Sequence, residues 1–219
     1  MRSNNHDIRA FFFDLDGTLM DTEVLYVEAV RQALADRRCF LSDEEITELV
    51  YGISWPDVYA GAIRRFPDVY PSIEAMKAVI YRHFTELRGE RDIRLTGSID
   101  LLKSLSREHP TAIVSGSSRR DIEEAVGLMG IAPHIRFFLG AEDYHPGKPH
   151  PACYLMAAEK VGQSPAHCLV FEDSSAGVQA AKAAGMICVG LKRNGAPDQD
   201  MSIADLVLSD LSDFDVQKL

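Results

Sequence analysis

Six short apolar runs recur along the chain: Ile8 to Phe13, TAIVS at 111–115, IRFFLG at 135–140, CLVFE at 168–172, MICVG at 186–190 and a weaker DLVL at 205–208. Runs this short and this continuously apolar suit strands buried on both faces. Helical periods lie between the later ones. Ile99, Leu102 and Leu105 share a face of 98–109, and Ile122, Ala125, Val126 and Met129 share a face of 120–130. Segments 151–162 and 174–185 continue the series; the last opens on Ser174 as N-cap and stops at Gly185 as C-cap. Strands that alternate with helices imply βαβ units. The fold class is α/β with a Rossmann-like parallel sheet core.

One segment breaks the alternation. Between Thr22 and Arg91 only helical periods occur, at 23–34, 42–50, 54–66 and 72–87. Ser42 with Glu45 and Ser54 with Asp57 have capping-box spacing. An insert of about 70 residues is far longer than an ordinary crossover. It reads as a small helical domain, residues 21–92, inserted after the first strand into a core made of 1–20 and 93–219. A chain of 219 residues has room for both.

Charge and cysteines narrow the function classes. The formal net charge is −10, which argues against nucleic acid or an anionic membrane as partner. An anionic small substrate stays open, because a bound cation reverses the local field. The four cysteines, Cys39, Cys153, Cys168 and Cys188, form no CxxC pair and no zinc spacing. They are expected to be reduced, partly buried thiols. The start, MRSNNHDIR, has no apolar signal core, and the apolar runs are too short to span a bilayer. The expectation is a cytoplasmic monomer.

In open α/β sheets ligands bind beyond the carboxyl ends of the strands. Here the first strand ends in Asp14, the second in Ser115, and the fourth in Glu172 and Asp173; the third runs into a loop holding Lys148. Each has a plain structural reading: a turn aspartate, a turn serine, a solvated lysine, a helix cap. Their convergence on one rim is harder to explain that way, and it fits phosphoryl transfer. A carboxylate can attack phosphorus. A divalent cation, a lysine and hydroxyl donors can offset the charge that builds on the phosphoryl oxygens. Mg²⁺ takes oxygen ligands, which Asp14, Asp173 and Glu172 offer. Asp16 lies two residues beyond Asp14, on the same side of an extended chain, where it can exchange a proton with the leaving oxygen and with water. Gly17 permits a sharp turn there.

DLDGT at 14–18, VSGSS at 114–118, GKPHP at 147–151 and VFEDSSAG at 170–177 resemble, in order and approximate spacing, the four motifs of the haloacid dehalogenase superfamily. The likeness spans nearly the whole chain, helical cap included, and is closest to the subgroup of β-phosphoglucomutase and small sugar-phosphate phosphatases. It implies Asp14 as nucleophile, Asp16 as general acid and base, and Ser115 and Lys148 as phosphoryl-binding groups, with Gly116 and Ser117 also reaching phosphate. It implies Mg²⁺ held by Asp14, Asp173, the Asp16 carbonyl and Glu172, with Glu172 either a ligand or a group behind the ligands. It also implies a cap that opens and closes over the site.

Departures from the pattern bear on the reaction. True dehalogenases lack the second aspartate, present here as Asp16, and phosphonatases use a cap lysine absent between Met1 and Ser72. Tyr51, Trp55 and Tyr26 stand where the mutase carries basic residues, which favours hydrolysis; Ala152 replaces a common acid after KPxP. Glu23, Tyr51 and Trp55 are candidates for substrate contact. The structural alternatives are a first-turn role for Glu23 and Trp55 and cap packing for Tyr59. Arg64, Arg65, Arg82 and Arg88 read as solvated, and His145 and His150 as structural. The resulting expectation is a Mg²⁺-dependent phosphatase that hydrolyses a small sugar or polyol phosphate through an aspartyl-phosphate. A β-phosphoglucomutase-like sugar phosphomutase and a phospho-accepting signalling module are the alternatives.

Overall fold

The computed structural model describes residues 7–50, 53, 55–194, 196 and 199–219. The chain divides into two compact units, Met1–Met20 with Arg94–Leu219, and Asp21–Ile93.

The larger unit is built on a six-stranded sheet in the order β3-β2-β1-β4-β5-β6. Its strands are β1 (Ala10–Phe13), β2 (Thr111–Val114), β3 (Phe137–Leu139), β4 (Cys168–Glu172), β5 (Ile187–Leu191) and β6 (Leu206–Leu208), all paired in parallel. The strand order turns around beside β1, which lies between β2 and β4. This is the switch point where ligands collect in such sheets. Phe13 is in register with Ile113 on one side and Phe171 on the other, so Asp14 emerges between Val114 and Glu172.

Successive side chains of β1 face opposite ways. Ala10 and Phe12 join Val114, Val170 and Tyr154 in one buried cluster. Helices α7 (Ala152–Val161) and α8 (Ser175–Ala183) supply Ala157, Ala158, Val178 and Ala181 to it. On the other face the Phe13 ring stacks on Phe171 at 4.6 Å. Each fully buried phenylalanine contributes about 1.5–3 kcal/mol, so the stem under Asp14 is firmly fixed. Helices α5 (Thr96–Leu105) and α6 (Arg119–Met129) complete this unit. Ser174 caps α8 by accepting the Gly177 N–H at 3.0 Å. The C-cap of α8 is Ala184, and Gly185 follows it with φ +77°. The C-cap position therefore falls one residue before the glycine that the sequence marks as the cap.

The smaller unit holds α1 (Thr22–Ala35), α2 (Asp43–Val50), α3 (Trp55–Arg65) and α4 (Ile73–Glu90). α1 packs chiefly on α4, burying Leu25, Ala29 and Ala33 of one and Met76, Ile80 and Phe84 of the other. The Ser42–Glu45 capping box forms in both directions, at 3.2 and 2.9 Å. The expected Ser54–Asp57 box involves Ser54, outside the described residues. Cys39, Cys153, Cys168 and Cys188 are all free thiols. Among the described residues no helix is long and apolar enough to cross a membrane.

Candidate active site

Asp14 continues the ladder one residue beyond β1, its N–H donating to the Phe171 carbonyl at 3.0 Å. The chain then folds tightly. Leu15 O accepts the N–H groups of Leu19 and Met20 at 2.9 and 3.0 Å, and Gly17 N–H donates to Met20 O at 2.7 Å. Gly17 has φ +81°, and a Cβ there would stand 2.5 Å from Asp173 Cγ, inside the carboxylate's space. Glycine is required for both the turn and the approach of Asp173. The hydroxyl of fully buried Thr18 donates to Asp173 Oδ1 at 3.2 Å.

Lys148 commits its ammonium to three acceptors: Asp14 Oδ1 at 2.6 Å, Glu172 Oε1 at 2.5 Å and the Val114 carbonyl at 3.0 Å. Its side chain is only 11% exposed. Burial works against that charge, but Asp14 and Glu172 outweigh it and hold the ammonium well above its ordinary range. Burial pushes the Asp14 carboxyl up. Lys148 draws it down, Glu172 and Asp16 add to the rise, and the net direction is upward.

Glu172 is fully buried. Its Oε1 also accepts the Tyr154 hydroxyl at 2.6 Å, and its Oε2 accepts the Ser174 hydroxyl at 3.0 Å. Asp14, Glu172 and Asp173 each offer a carboxylate oxygen within 4.8 Å of the others. Three carboxylates against one ammonium leave an excess of negative charge. An all-oxygen donor set of this kind suits a hard divalent cation.

Ser115 lies at the end of β2, its N–H on Leu139 O at 3.0 Å and its carbonyl accepting the Tyr144 hydroxyl at 2.8 Å. Its Oγ donates to Asp16 Oδ2 at 3.2 Å and accepts the Ser117 N–H at 3.0 Å, while Ser117 Oγ donates to the same Asp16 oxygen at 2.5 Å. The acid two residues after Asp14 is thus tied to the second strand end. A Cβ on Gly116 would meet nothing within 4 Å, so protein packing does not demand a glycine between the two serines.

Asp14, Asp16, Ser115, Ser117, Lys148, Glu172 and Asp173 therefore converge within the larger unit, and Gly116 lies between its two serines. Glu23 and Trp55 belong to the helical unit. Glu23 is in the first turn of α1, whose N-cap position is Asp21. Trp55 opens α3 edge-on to Tyr26 at 5.3 Å, and Tyr26 stacks on Phe84 at 4.3 Å. Tyr51 lies outside the described residues. His150 Nδ1 accepts the Ala152 N–H at 3.3 Å, a local structural bond. Sequence reasoning assigns no role to Thr18, Tyr144, Tyr154 or Gly177. Thr18 and Gly177 fall inside the quoted motifs. Tyr154 carries only the signal of a helical position turned inward.

The family model described as haloacid dehalogenase-like hydrolase matches residues 8–185. The chain is 32% identical over 216 residues to hexitol phosphatase A of Escherichia coli (strain K12), covering 96% of this chain and 94% of that one. It is 28% identical over 180 residues to fructose-1-phosphate phosphatase YqaB of the same organism, covering 82% and 94%. Among solved structures, CbbY from Rhodobacter sphaeroides in complex with phosphate matches with a TM-score of 0.78 at 25% identity, over 94% of this chain and 96% of that one.

Proposed function

We propose a substrate class and a reaction course from one premise: this chain belongs to the haloacid dehalogenase-like hydrolases, and it is a phosphatase. The substrate is a small sugar or polyol phosphate, and Mg²⁺ is the cofactor. The single observation that carries the reading is the Lys148 ammonium on Asp14 Oδ1, beside the carboxylates of Glu172 and Asp173. The named relatives support the substrate class, since one acts on a hexitol phosphate and another on fructose 1-phosphate by name.

Asp14 attacks phosphorus, and the bond from phosphorus to the leaving oxygen breaks as Asp16 gives that oxygen its proton. The product alcohol departs and leaves a phosphoryl group on Asp14. Asp16, now a carboxylate, takes a proton from water as the water oxygen attacks phosphorus. Inorganic phosphate leaves and Asp14 is restored. Ser115 and Ser117 hold Asp16 before substrate binds, and their hydroxyls then turn to donate to the phosphoryl oxygens, with the backbone of Gly116 between them. Lys148 offsets charge on both Asp14 and the phosphoryl group. Asp14, Asp173, Glu172 and the Asp16 carbonyl are the groups that would hold Mg²⁺, which when bound neutralises phosphoryl charge.

A phosphate-release screen over phosphorylated sugars and polyols, with and without Mg²⁺, tests this. Asp14→Asn is expected to abolish release. Persistent activity in that variant would remove Asp14 as nucleophile. Isomerisation of a hexose 1-phosphate without net phosphate release would establish a mutase instead.

A further inference from the structure

We propose that Tyr154 is a positioning residue for phosphoryl transfer: its hydroxyl fixes Glu172, and Glu172 in turn sets the place of the Lys148 ammonium against Asp14. The inference rests on the phosphatase reading above and extends it to a residue that does not touch the reacting atoms.

The connection is a short chain of polar contacts in a dry place. Tyr154 and Glu172 are both fully buried. The phenol donates to Glu172 Oε1 at 2.6 Å, the same oxygen that accepts Lys148 at 2.5 Å. Lys148 also lies 5.3 Å from the centre of the Tyr154 ring. One side chain therefore contacts both members of the Glu172–Lys148 pair, the carboxylate through its hydroxyl and the ammonium through its ring face. The Ser174 hydroxyl holds the other carboxylate oxygen at 3.0 Å, and Gly177 leaves the space the carboxylate fills, since a Cβ there would overlap it. Tyr154 is anchored independently, in the cluster that α7 forms with Phe12 and Val170.

Charge balance explains why such a device is useful. Glu172 competes with Asp14 for one ammonium. A carboxylate with fewer donors attracts its remaining cation more strongly in a poorly solvated site. Without the phenol, Glu172 draws Lys148 away from Asp14 and the phosphoryl oxygens, where charge is offset in the transition state. With it, the carboxylate is partly satisfied and stays in place. Bringing Lys148 to its working position then needs no rearrangement during the reaction.

The test uses the full chain with Mg²⁺ and acetyl phosphate, whose small leaving group makes few demands beyond the phosphoryl site. Tyr154→Phe keeps the ring and its packing. Its kcat is expected to fall about tenfold, as for other supporting groups behind a catalytic site, with KM changed less than about twofold and orthovanadate inhibition weakened in parallel. The melting temperature is read alongside. The decisive measurement is the cycle with Glu172→Gln, which also reads the contact if either single variant is weakly stable. Tyr154→Phe should add little further loss in that background if it acts through Glu172. An equal loss in both backgrounds, or wild-type kcat in Tyr154→Phe, overturns the proposal and leaves the phosphatase reading intact. A wild-type chain that releases phosphate from no phosphorylated compound overturns that reading, and this inference with it.

Discussion

The Asp173 carboxylate occupies the space a side chain at Gly17 would need, with Asp173 Cγ 2.5 Å from where a Cβ would stand. The two residues follow the carboxyl ends of the paired strands β1 and β4, and Thr18 completes the contact by donating to Asp173 Oδ1. Gly17→Ala must both strain a residue at φ +81° and push the carboxylate aside. The expected result is a Mg²⁺ requirement raised by about tenfold or more, with lower phosphate release at saturating metal. A Mg²⁺ titration of activity, beside a far-UV spectrum to confirm the fold, measures it. An unchanged midpoint would mean that Asp173 has no part in holding the metal.

Gly177 makes the same kind of approach to Glu172, but its consequence differs. A Cβ at Gly177 would overlap the Glu172 carboxylate, which is fully enclosed and held on both oxygens. Asp173 is only half-buried, so its carboxylate is less tightly enclosed. Gly177→Ala should therefore register first as stability, with a loss of about 1–3 kcal/mol for overpacking a filled site. Urea unfolding of the two glycine variants side by side reads the contrast. A Gly177→Ala protein as stable as the wild type would show that Glu172 can move.

The sheet is legible in the sequence because each strand is a short apolar run. The acids, serine and lysine are legible because each closes such a run or follows it closely. Bonds between distant side chains leave no such mark. Tyr154 reaches Glu172 from another element, and periodicity along α7 shows it only as buried. Tyr144 is one polar residue in a polar loop until its hydroxyl is seen on the Ser115 carbonyl. Thr18 lies close to Asp14 and Asp16 in sequence, yet its partner Asp173 is 155 positions away. Helix ends are legible to within a residue or two, because the last turn frays and a cap residue is only half helical. The Ala184–Gly185 step is one such case.

Asp16 receives the hydroxyls of both Ser115 and Ser117 on one oxygen. If it gives a proton to the leaving group and then takes one from water, Asp16→Asn slows both halves of the reaction, by about 10²–10⁴-fold overall. The amide cannot accept a proton from water, so the second half is expected to suffer more with an activated donor such as acetyl phosphate. Intact-mass analysis after acid quench should then find a phosphoryl group retained on the variant. A fully active Asp16→Asn would exclude it as the acid and base. Ser117→Ala should lose less than Asp16→Asn, because Ser115 still holds the same oxygen.

Asp143 ties the start of α6 to the loop that follows β3. Arg119, the first residue of α6, places one guanidinium nitrogen at 2.8 and 2.6 Å from its two oxygens, and the Gly140 N–H donates to it at 2.8 Å. Burial alone would raise its carboxyl, but the Gly140 N–H and Arg119 outweigh that and hold it below the usual carboxylate range. A depressed folded value means that its contribution is fully present above the unfolded value and is lost as pH falls through the folded one. Asp143→Asn should cost about 1–2 kcal/mol at neutral pH. The gap to the wild type should narrow from about pH 4 downward. Urea unfolding of both proteins across that range tests it. A gap independent of pH would show that Asp143 acts through its shape and hydrogen bonds, with its charge contributing nothing.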